Sequence, residues 1–342
     1  IPYQEVCERM GYPCFGSKEQ FRLLTDKTAF IRKCIECGVD VIPQYTEQDF
    51  VRKEDCPADF PVFVKPCDSR GSRGQTICHS FAEISDAIAF AKSESKTGKV
   101  IIEKFMGDKQ DFSMSYLVID GVPHLVRTGD RYVGAPETKM NKSAICGVSP
   151  SGHLDLYLHK VDEKIKRFIS AVGIKNGPVF MQGFVDGNTI RFFDPAMRLP
   201  GANYELILKQ ATGIDIMSIL IKYALTGEMD ETETKLLGNA YKLNGKMAAI
   251  VFPVMRTGVI SKIEGLENIG EMDSVIGVYR KHREGQVIEA TGDISQRIAE
   301  IDMLCDTKEQ LVRDIQHLRD MLTVKSIDGE EMITSNSDLT LL

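Results

Sequence analysis

The chain has 342 residues, with 42 basic and 49 acidic side chains and a formal net charge of −7. This balance argues against nucleic acid as a partner, because binding along a phosphate backbone needs a basic excess. No apolar run approaches the roughly 18 residues of a membrane-spanning helix, and no signal peptide opens the chain, so we expect a cytoplasmic protein without a membrane partner.

The first segment, residues 1–60, combines short mixed elements with one helix. Asp26 and Lys27 precede an amphipathic pattern that predicts a helix from Thr28 to about Cys37. The chain begins with Ile, and only 26 residues precede Lys27, too few for an independently folded unit. One interpretation is therefore that the chain is a fragment or a processed form of a longer protein.

The nine cysteines are an odd number in a chain that shows no export signal, which indicates reduced thiols. Cys34 and Cys37 form a C-x-x-C, and Cys7 and Cys14 lie upstream, so a structural zinc site from these four is one interpretation. The alternative is a set of buried thiols within a helix. We favour it, because the C-x-x-C lacks a second tightly spaced pair.

The rest of the chain alternates predicted helices with short strands. Helices are predicted over residues 81–92, 154–172, 204–226 and 308–322. Strands are predicted over residues 61–66, 75–80, 99–105, 111–119, 124–127, 178–185 and 189–194, and in a series from residue 245 onward. The dipeptides Asp120-Gly121 and Asp186-Gly187 are hairpin signals. The predicted fold class is therefore α+β with largely antiparallel sheets.

A glycine-rich loop, DSRGSRG, lies between the predicted strands PVFVKP and QTICHS. The first strand delivers Lys65, whose point charge suits a phosphate. Gly71 and Gly74 let backbone N–H groups approach phosphate oxygens, and Ser69 and Ser72 add hydroxyl donors. The pattern is neither the P-loop nor the dinucleotide-binding fingerprint. Taken alone, it fits a plain glycine-rich hairpin equally well.

A second group of polar residues follows in MQGFVDGNTIRFFDPAMRLPGAN. Its hairpin places Gln182 on one strand and Asp194 on the partner strand. Both side chains carry oxygen atoms of the kind that Mg²⁺ prefers. Arg198 lies four residues beyond Asp194 and is suited to hold an acyl phosphate or carboxylate through two parallel hydrogen bonds. The alternative is a hairpin with a surface carboxylate and an ion-paired arginine.

The order of these segments resembles the ATP-grasp superfamily: Lys27, then PVFVKP and GSRG, then IIEKF, then a DG hairpin that ends in FFDPAMRLPG. It is most similar to the carboxylate–amine ligase branch, which includes amino-acid ligases and relatives of the carbamoyl-phosphate synthase large subunit. The resemblance implies two α+β subdomains whose antiparallel sheets clasp ATP, and a C-terminal α+β extension. The implied divisions are a remnant and linking helix (1–60), a lid subdomain (61–128), a large subdomain with the metal strands (129–240) and an acceptor-side subdomain (241–342).

The resemblance also implies roles for individual residues, with ATP and Mg²⁺ as cofactors. The phosphates would be contacted by Lys27 and Lys65, and covered by a loop that contains Ser69, Gly71, Ser72, Arg73 and Gly74. Adenine would be lined, largely through backbone groups, by Glu103, Lys104, Phe105 and Met106. The ribose hydroxyls would be bound by Asp111, and Mg²⁺ by Gln182 and Asp194. Arg198 matches the arginine that steadies the acyl phosphate.

The metal strands depart from the family pattern. The second strand commonly reads E-x-N-x-R, whereas this chain has Asp194 and Arg198 with Ala196 at the Asn position. Gln182 stands in place of the first carboxylate. Two anionic ligands have thus dropped to one, which weakens the protein's own hold on Mg²⁺, although nucleotide phosphates carry much of the coordination. Two interpretations follow: an active enzyme, and an ATP-binding module without turnover.

A third polar stretch, GDRYVGAPETKMNK, follows the predicted β-hairpin. Asp130 and Arg131 end a strand predicted to face the same cleft, and we expect Arg131 to act in catalysis. Lys139 and Lys142 fit contacts to an anion or a solvated charged loop. Arg297 lies in a C-terminal stretch that, in the amino-acid ligases, passes near the acceptor pocket.

The resemblance implies an ADP-forming ligase that phosphorylates a carboxylate with ATP and passes the acyl group to an amine. The activation barrier would be lowered by positioning the reactants and by neutralising charge on the phosphates, without a protein nucleophile. The expected partners are a small-molecule carboxylate, an amine and a second copy of the chain in a homodimer. Besides the inert module, the alternative is a carbamoyl-phosphate synthase-like, formate-activating or bicarbonate-activating member of the same superfamily.

Overall fold

The computed structural model describes residues 2–67, 74–107, 109–133, 144–229, 237–289 and 294–334. Its α-helices are α1 (Pro2–Met10), α2 (Lys18–Thr25), α3 (Lys27–Glu36), α4 (Ile84–Ser93), α5 (Leu154–Lys160), α6 (Asp162–Val172), α7 (Tyr204–Thr212), α8 (Ile216–Thr226), α9 (Leu266–Gly270) and α10 (Lys308–Met321). Its strands are β1 (Gln44–Tyr45), β2 (Val62–Pro66), β3 (Thr76–Cys78), β4 (Val100–Lys104), β5 (Asp111–Ile119), β6 (Val122–Val133), β7 (Ala144–Ser149), β8 (Gly177–Asp186), β9 (Thr189–Ala196), β10 (Met247–Val251), β11 (Gly258–Glu264), β12 (Val275–Arg280), β13 (Val287–Ile288), β14 (Ala299–Cys305) and β15 (Thr323–Ser326). Short 3-10 helices lie at Glu47–Phe50, Lys53–Asp55, Phe81–Glu83, Ala240–Gly245 and Ile294–Gln296.

The strands form three sheets, and the strand pairs within them are antiparallel over the described ranges. This confirms the predicted α+β class. None of the helices in these ranges combines the length and hydropathy that a bilayer crossing requires.

Two predicted helices each prove to be a pair of helices. The pattern over residues 154–172 is interrupted at Val161, whose φ of −124° lies outside the helical range. The pattern over residues 204–226 breaks at Gly213, which has a φ of +79° and donates its N–H to the Lys209 carbonyl at 2.8 Å. A glycine in this left-handed conformation is a common helix stop, and here it sits inside an otherwise continuous apolar pattern.

The small sheet has four strands in the order β1-β4-β2-β3. Side chains along β2 alternate between its faces: Val62 and Val64 are fully buried against α4, whereas Phe63 and Lys65 are half-buried on the opposite face. Glu103 on β4 lies directly across from Phe63. The alternation therefore places Lys65 and Glu103 side by side, facing away from the core of the small sheet.

The large sheet has eight strands in the order β12-β14-β10-β7-β6-β5-β8-β9. One hydrophobic core lies between this sheet and the helices α3, α5 and α6, where Phe30 meets Phe168 edge to face with ring centroids 5.7 Å apart. A second core lies under α7 and α8, and a third under α9 and α10. These cores fix the positions of β5, β6, β8 and the edge strand β9, which carry the polar residues of interest.

The strand pairing divides the chain differently from the predicted subdomains. The predicted boundary between residues 128 and 129 falls inside β6, and both β5 and β6 belong to the large sheet. The two sheets therefore separate between Lys104 and Asp111. Strands β10, β12 and β14 also join the large sheet, so residues 241–342 share it, and β11, β13 and β15 form a three-stranded sheet in the order β13-β11-β15. The boundaries between the sheets follow from pairing between strands that are far apart in the sequence. The division into functional subdomains stays a prediction.

One tight approach in the C-terminal region is open to a simple stability test. Gly265 has a φ of +92°, and a Cβ added there would lie 2.1 Å from the Met321 carbonyl oxygen at the end of α10. We expect Gly265→Ala to lower the free energy of unfolding by about 3 kcal/mol, because it combines a rare backbone conformation with a backbone clash. Urea denaturation measures the loss.

The matched control is Gly285→Ala. Gly285 has a similar φ of +85° but open space around its Cα, so we expect it to cost about 1 kcal/mol through backbone strain alone. Equal losses in the two variants would contradict the role assigned to the Gly265–Met321 contact.

Candidate nucleotide-binding active site

A cavity of about 400 Å³ opens between the small sheet and the large sheet. Its charged lining includes the predicted residues Lys65, Glu103, Lys104, Asp111 and Arg131. Its apolar lining consists of Ile42, Phe63, Ile77, Phe105, Met106, Val133, Phe184 and Phe193. The rings of Phe184 and Phe193 stack with centroids 4.9 Å apart. A cleft with an aromatic wall and a few convergent charges is typical of a small-molecule site.

Lys65 and Glu103 form an ion pair at the floor of this cavity. The Lys65 ammonium donates to a Glu103 carboxylate oxygen, and the exposed fractions of the two side chains are 13% and 9%. The ammonium also lies over the Phe63 ring, 5.3 Å from its centroid. Because the pair is nearly dry, its partners interact more strongly than a surface pair would. Lys65 is therefore held at the cleft by a buried carboxylate.

Lys27 lies at the start of α3 and meets the same charges. The helix is capped by Asp26, whose side chain accepts from the N–H groups of Thr28 and Ala29 at 3.0 Å. Desolvation lowers the pKa of Lys27, and the positive charge of Lys65 lowers it further, while Glu103 acts in the opposite direction. Two lysines close enough to repel each other form a strong anion site.

The stretch predicted to line adenine follows the end of β4. The Lys104 N–H donates to the Pro43 carbonyl at 2.9 Å, and the Phe105 N–H donates to the Pro61 carbonyl at 3.1 Å. These two N–H groups are already engaged in hydrogen bonds. A bound purine would therefore have to be contacted by other groups of this stretch. Met106 is 3% exposed and supplies apolar surface at this end of the cavity.

Asp111 and Arg131 face each other across the β5–β6 pair. The Arg131 Nε and Nη2 donate to the same carboxylate oxygen of Asp111, at 3.0 and 2.6 Å. The two predicted site residues are thus brought together as an ion pair at the cavity wall. This arrangement fits Arg131 as the residue that orients Asp111, and its predicted catalytic role stays a prediction.

The expectation that Asp130 faces the same cleft as Arg131 is wrong. Asp130 accepts from the Ser151 Oγ at 2.6 Å and from the Gly152 N–H at 2.7 Å, on the other side of the sheet. Adjacent residues in a regular strand point to opposite faces, so the strand could deliver only one of the two to the cleft. The raised pKa of Asp130 follows from its burial.

Gln182 and Asp194 are direct cross-strand partners on β8 and β9, as the hairpin predicts. Burial raises the pKa of Asp194, while Lys27, Arg198 and Lys65 oppose that shift. Asp194 therefore lies within the electrostatic reach of the two lysines and of Arg198.

The donor set at this hairpin fits one kind of Mg²⁺ site. In the described parts of the chain, no group of three or more His, Cys, Asp or Glu side chains is arranged to hold a metal. One carboxylate and one amide oxygen, next to two lysines, suit an ion whose other ligands are phosphate oxygens and water. Gln182 and Asp194 therefore fit a nucleotide-borne Mg²⁺ and do not form a cage of their own.

Arg198 lies just beyond the end of β9. Its guanidinium lies over the Phe180 ring, 5.4 Å from the centroid, and its Nη1 donates to the Leu199 carbonyl at 2.8 Å. The side chain is exposed, so its remaining N–H groups face solvent. Its predicted role at the acyl phosphate stays a prediction.

The predicted phosphate loop falls mostly outside the described residues, which include Gly74 but not Ser69, Gly71, Ser72 or Arg73. Gly74 has a φ of +70°, and a Cβ there would lie 2.7 Å from both Pro66 and Glu94. It therefore anchors the end of the loop against β2 and α4. Lys139 and Lys142 also lie outside the described residues.

Two further sequence predictions are located away from the cavity. The Arg297 guanidinium stacks on the Phe252 ring at 3.9 Å and donates to the Ala144 carbonyl at 3.0 Å. Cys34 is buried in the first core, on α3, and burial raises the pKa of its thiol. Sequence reasoning also missed the aromatic wall formed by Phe184 and Phe193, although they flank the Asp186-Gly187 turn that it identified.

A small sheet and a large sheet with a charged cleft between them fit the ATP-grasp fold. The family model described as "Carbamoyl-phosphate synthase L chain, ATP binding domain" matches residues 26–232, which is more than half of the chain. The chain therefore belongs to this ATP-binding family. The matched range contains Lys27, Lys65, Asp194 and Arg198.

Solved structures support the same fold. An L-amino acid ligase from Bacillus licheniformis matches with a TM-score of 0.73 and 20% identity, over 94% of this chain and 77% of that chain. Phosphoribosylglycinamide synthetase from Anaerococcus prevotii matches with a TM-score of 0.73 and 14% identity, over 94% and 79%. The biotin carboxylase domain of Hydrogenobacter thermophilus 2-oxoglutarate carboxylase, whose crystals hold MgADP and bicarbonate, matches with a TM-score of 0.72 and 16% identity, over 97% and 72%.

Proposed function

We propose that this protein is an ADP-forming ligase that activates a carboxylate as an acyl phosphate and joins it to an amine. The observation that carries the proposal is that Lys65 lines the cleft and that Lys27, Lys65 and Arg198 all lie within electrostatic reach of Asp194. Two of these groups would neutralise a triphosphate, and Arg198 is the exposed cation beside them. The amino-acid ligase among the similar structures supports the C–N bond-forming class.

The residues would act by positioning and by charge. Lys27 and Lys65 would bind phosphate oxygens and stabilise the charge that shifts onto the leaving ADP. Gln182 and Asp194 would hold Mg²⁺, which supplies further charge neutralisation at the phosphates. Arg198 would hold the carboxylate and then the acyl phosphate, while the amine attacks the acyl carbon and phosphate leaves. No protein nucleophile is needed.

A second candidate function is an ATP-binding module without turnover, favoured by Gln182 and Ala196 on the metal strands. One experiment separates the two: release of ADP and phosphate with pooled amino acids, alongside a direct measurement of ATP binding. Release that depends on an amino acid supports the ligase. ATP binding without release under any condition supports the inert module, and incorporation of labelled bicarbonate would move the assignment to a bicarbonate-activating enzyme. The homodimer stays a prediction.

The hairpin also allows a test of the metal assignment. We expect Asp194→Asn to raise the Mg²⁺ concentration needed for half-maximal ATP binding about tenfold or more, because it removes the single carboxylate of the donor set. Gln182→Glu should lower that concentration, since it restores a second anionic ligand. Mg²⁺ titrations at fixed ATP measure both changes. If Asp194→Asn left the titration unchanged, Mg²⁺ would not be bound at this hairpin.

A further inference from the structure

The four cysteines singled out in the sequence, Cys7, Cys14, Cys34 and Cys37, fall into two separate pairs in the fold. Cys34 lies in α3 and Cys37 caps its C-terminal end, whereas Cys7 lies in α1 and Cys14 in the loop before α2. In the described ranges, no group of three or more His, Cys, Asp or Glu side chains is placed to hold a metal ion. The four therefore do not form one zinc site, and each pair has its own surroundings.

The C-x-x-C pair is poorly placed for thiol chemistry. Cys34 is fully buried in the core between the large sheet and α3, α5 and α6, and burial raises the pKa of its thiol. Cys37 is half-buried, and desolvation raises the pKa of its thiol as well. Thiol–disulfide exchange needs a thiolate that the oxidant can reach. The motif therefore does not make this pair a redox centre.

Cys7 and Cys14 are brought together by the end of α1. The helix ends at Met10, and Gly11 follows with a φ of +68°, the left-handed conformation that commonly terminates helices. The Tyr12 N–H then donates to the Cys7 carbonyl at 3.0 Å, and this bond reverses the direction of the chain. The returning chain places the Cys14 thiol in hydrogen-bonding contact with the Cys7 thiol. The two sulfur atoms are thus neighbours in the folded protein.

Cys14 belongs to a segment that is fixed independently of α1. Its carbonyl accepts from the Tyr223 hydroxyl of α8 at 3.2 Å, and the next residue, Phe15, stacks on the Tyr223 ring with centroids 5.4 Å apart. Gly16 packs so closely on Met197 that an added Cβ would lie 2.6 Å from the Met197 Cε. Contacts with the large-sheet side of the molecule therefore set the position of Cys14.

α1 itself is held loosely at the surface. None of the residues from Pro2 to Met10 is buried. The helix contacts the start of α2 through Lys18, whose N–H donates to Glu8 Oε1 at 2.9 Å and whose ammonium pairs with Glu5. That ion pair is about half exposed, and exposed pairs contribute little to stability. A helix with so little buried surface opens at low cost, so a covalent bond to Cys14 would restrain it strongly.

We propose that Cys7 and Cys14 are a redox modification site: a small-molecule disulfide oxidises them to an intramolecular disulfide that fastens α1 to the rest of the protein. Both are free, half-exposed thiols that such a reagent can reach. The inference does not depend on the proposed ligase function.

The reaction proceeds by two exchanges. One protein thiol, as its thiolate, attacks a sulfur of the reagent, breaks the reagent's S–S bond and expels one thiolate. The second protein thiol then attacks the mixed disulfide at the protein sulfur and expels the other thiolate. The two protons lost by the protein pass to the two expelled thiolates. The protein thiols are oxidised by two electrons, and the reagent is reduced to two thiols.

The test holds the full chain in glutathione buffers of defined ratio until equilibrium, blocks the remaining thiols with iodoacetamide and digests without reduction. Trypsin cuts after Arg9 and Lys18, so Cys7 and Cys14 fall on separate peptides, residues 1–9 and 10–18. We expect mass spectrometry to find these peptides joined, at a yield that does not change when the protein is diluted. The folded chain should favour the bond about tenfold or more over the chain in concentrated urea, because the fold holds the thiols together.

Cys7→Ser and Cys14→Ser should each abolish the joined peptides and leave the remaining cysteine as a mixed disulfide with glutathione. The matched control is Cys37→Ser, which removes a half-buried cysteine of the other pair and should give the wild-type yield. Oxidation should also slow the first tryptic cleavage after Arg9 in the native protein about tenfold, because the bond restrains the opening of α1. Cys14→Ser should show no such protection.

Three results would overturn the inference. The first is the absence of the joined peptides from the oxidised wild type, and the second is an equal yield in the folded and the urea-unfolded chain. The third is a bond between Cys34 and Cys37 in place of the one between Cys7 and Cys14. If the bond forms but the cleavage after Arg9 is not slowed, the fastening of α1 is rejected.

Discussion

Lys65→Ala is expected to weaken ATP binding about 100-fold. Lys65 contributes one of the two ammonium groups at the cleft, and a charge-assisted hydrogen bond to a phosphate contributes about 2 to 3 kcal/mol. The substitution also leaves the carboxylate of Glu103 without its partner next to the phosphates, which adds repulsion. A loss of about 3 kcal/mol corresponds to about 100-fold in Kd. Equilibrium binding of a fluorescent ATP analogue measures the change.

The same substitution disturbs the fold, because Glu103 is 7% exposed and would remain buried without a partner. Removing one member of a buried pair destabilises a protein by about 3 to 5 kcal/mol. The double variant Lys65→Ala, Glu103→Gln separates the two effects, since a neutral amide replaces the stranded charge. We expect it to recover most of the stability and little of the ATP affinity. Recovery of full ATP affinity in the double variant would mean that Lys65 does not contact phosphate.

Arg198→Ala is expected to lower kcat by about 10² to 10³ while ATP affinity stays within about threefold of the wild type. The reason is the position of Arg198, exposed at the end of β9 with Phe180 behind its guanidinium. Loss of a group that stabilises developing charge in the transition state typically costs about 3 to 4 kcal/mol. Steady-state kinetics with an acceptor found by the phosphate-release assay provide the measurement.

Arg198→Lys serves as the matched control. It retains the charge but cannot form two parallel hydrogen bonds to one carboxylate, so we expect an intermediate kcat. An equal fall in ATP affinity and in kcat for Arg198→Ala would instead place this side chain on the nucleotide.

The cleft residues were predictable where a local pattern carries the information. Strand alternation places Lys65 opposite the core, a DG turn pairs Gln182 with Asp194, and Asp26 caps the helix that carries Lys27. Each of these three features depends on residues that lie within about a dozen positions of each other, so it can be recognised from the sequence. The assignment of Asp130 to the same face as Arg131 failed because adjacent residues of a strand point to opposite faces.

Relations between distant segments were not predictable from local patterns. Asn203 and Glu300 meet because α7 packs on β14, although 97 positions separate them. The apolar pattern over residues 204–226 also conceals the break at Gly213, because the glycine interrupts an otherwise continuous stripe.

The order of the large sheet has a consequence for the newly made chain. Strand β7 pairs with β10, with Val148 opposite Ala249, so about a hundred residues must emerge from the ribosome before this ladder can form. Until then β7 presents unpaired backbone groups, and an open strand edge is a template for pairing with other chains. Domains generally fold as units during synthesis, in the order in which they emerge. We therefore expect this edge of β7 to stay open until the C-terminal third has been made, and in that interval a chaperone would be most useful.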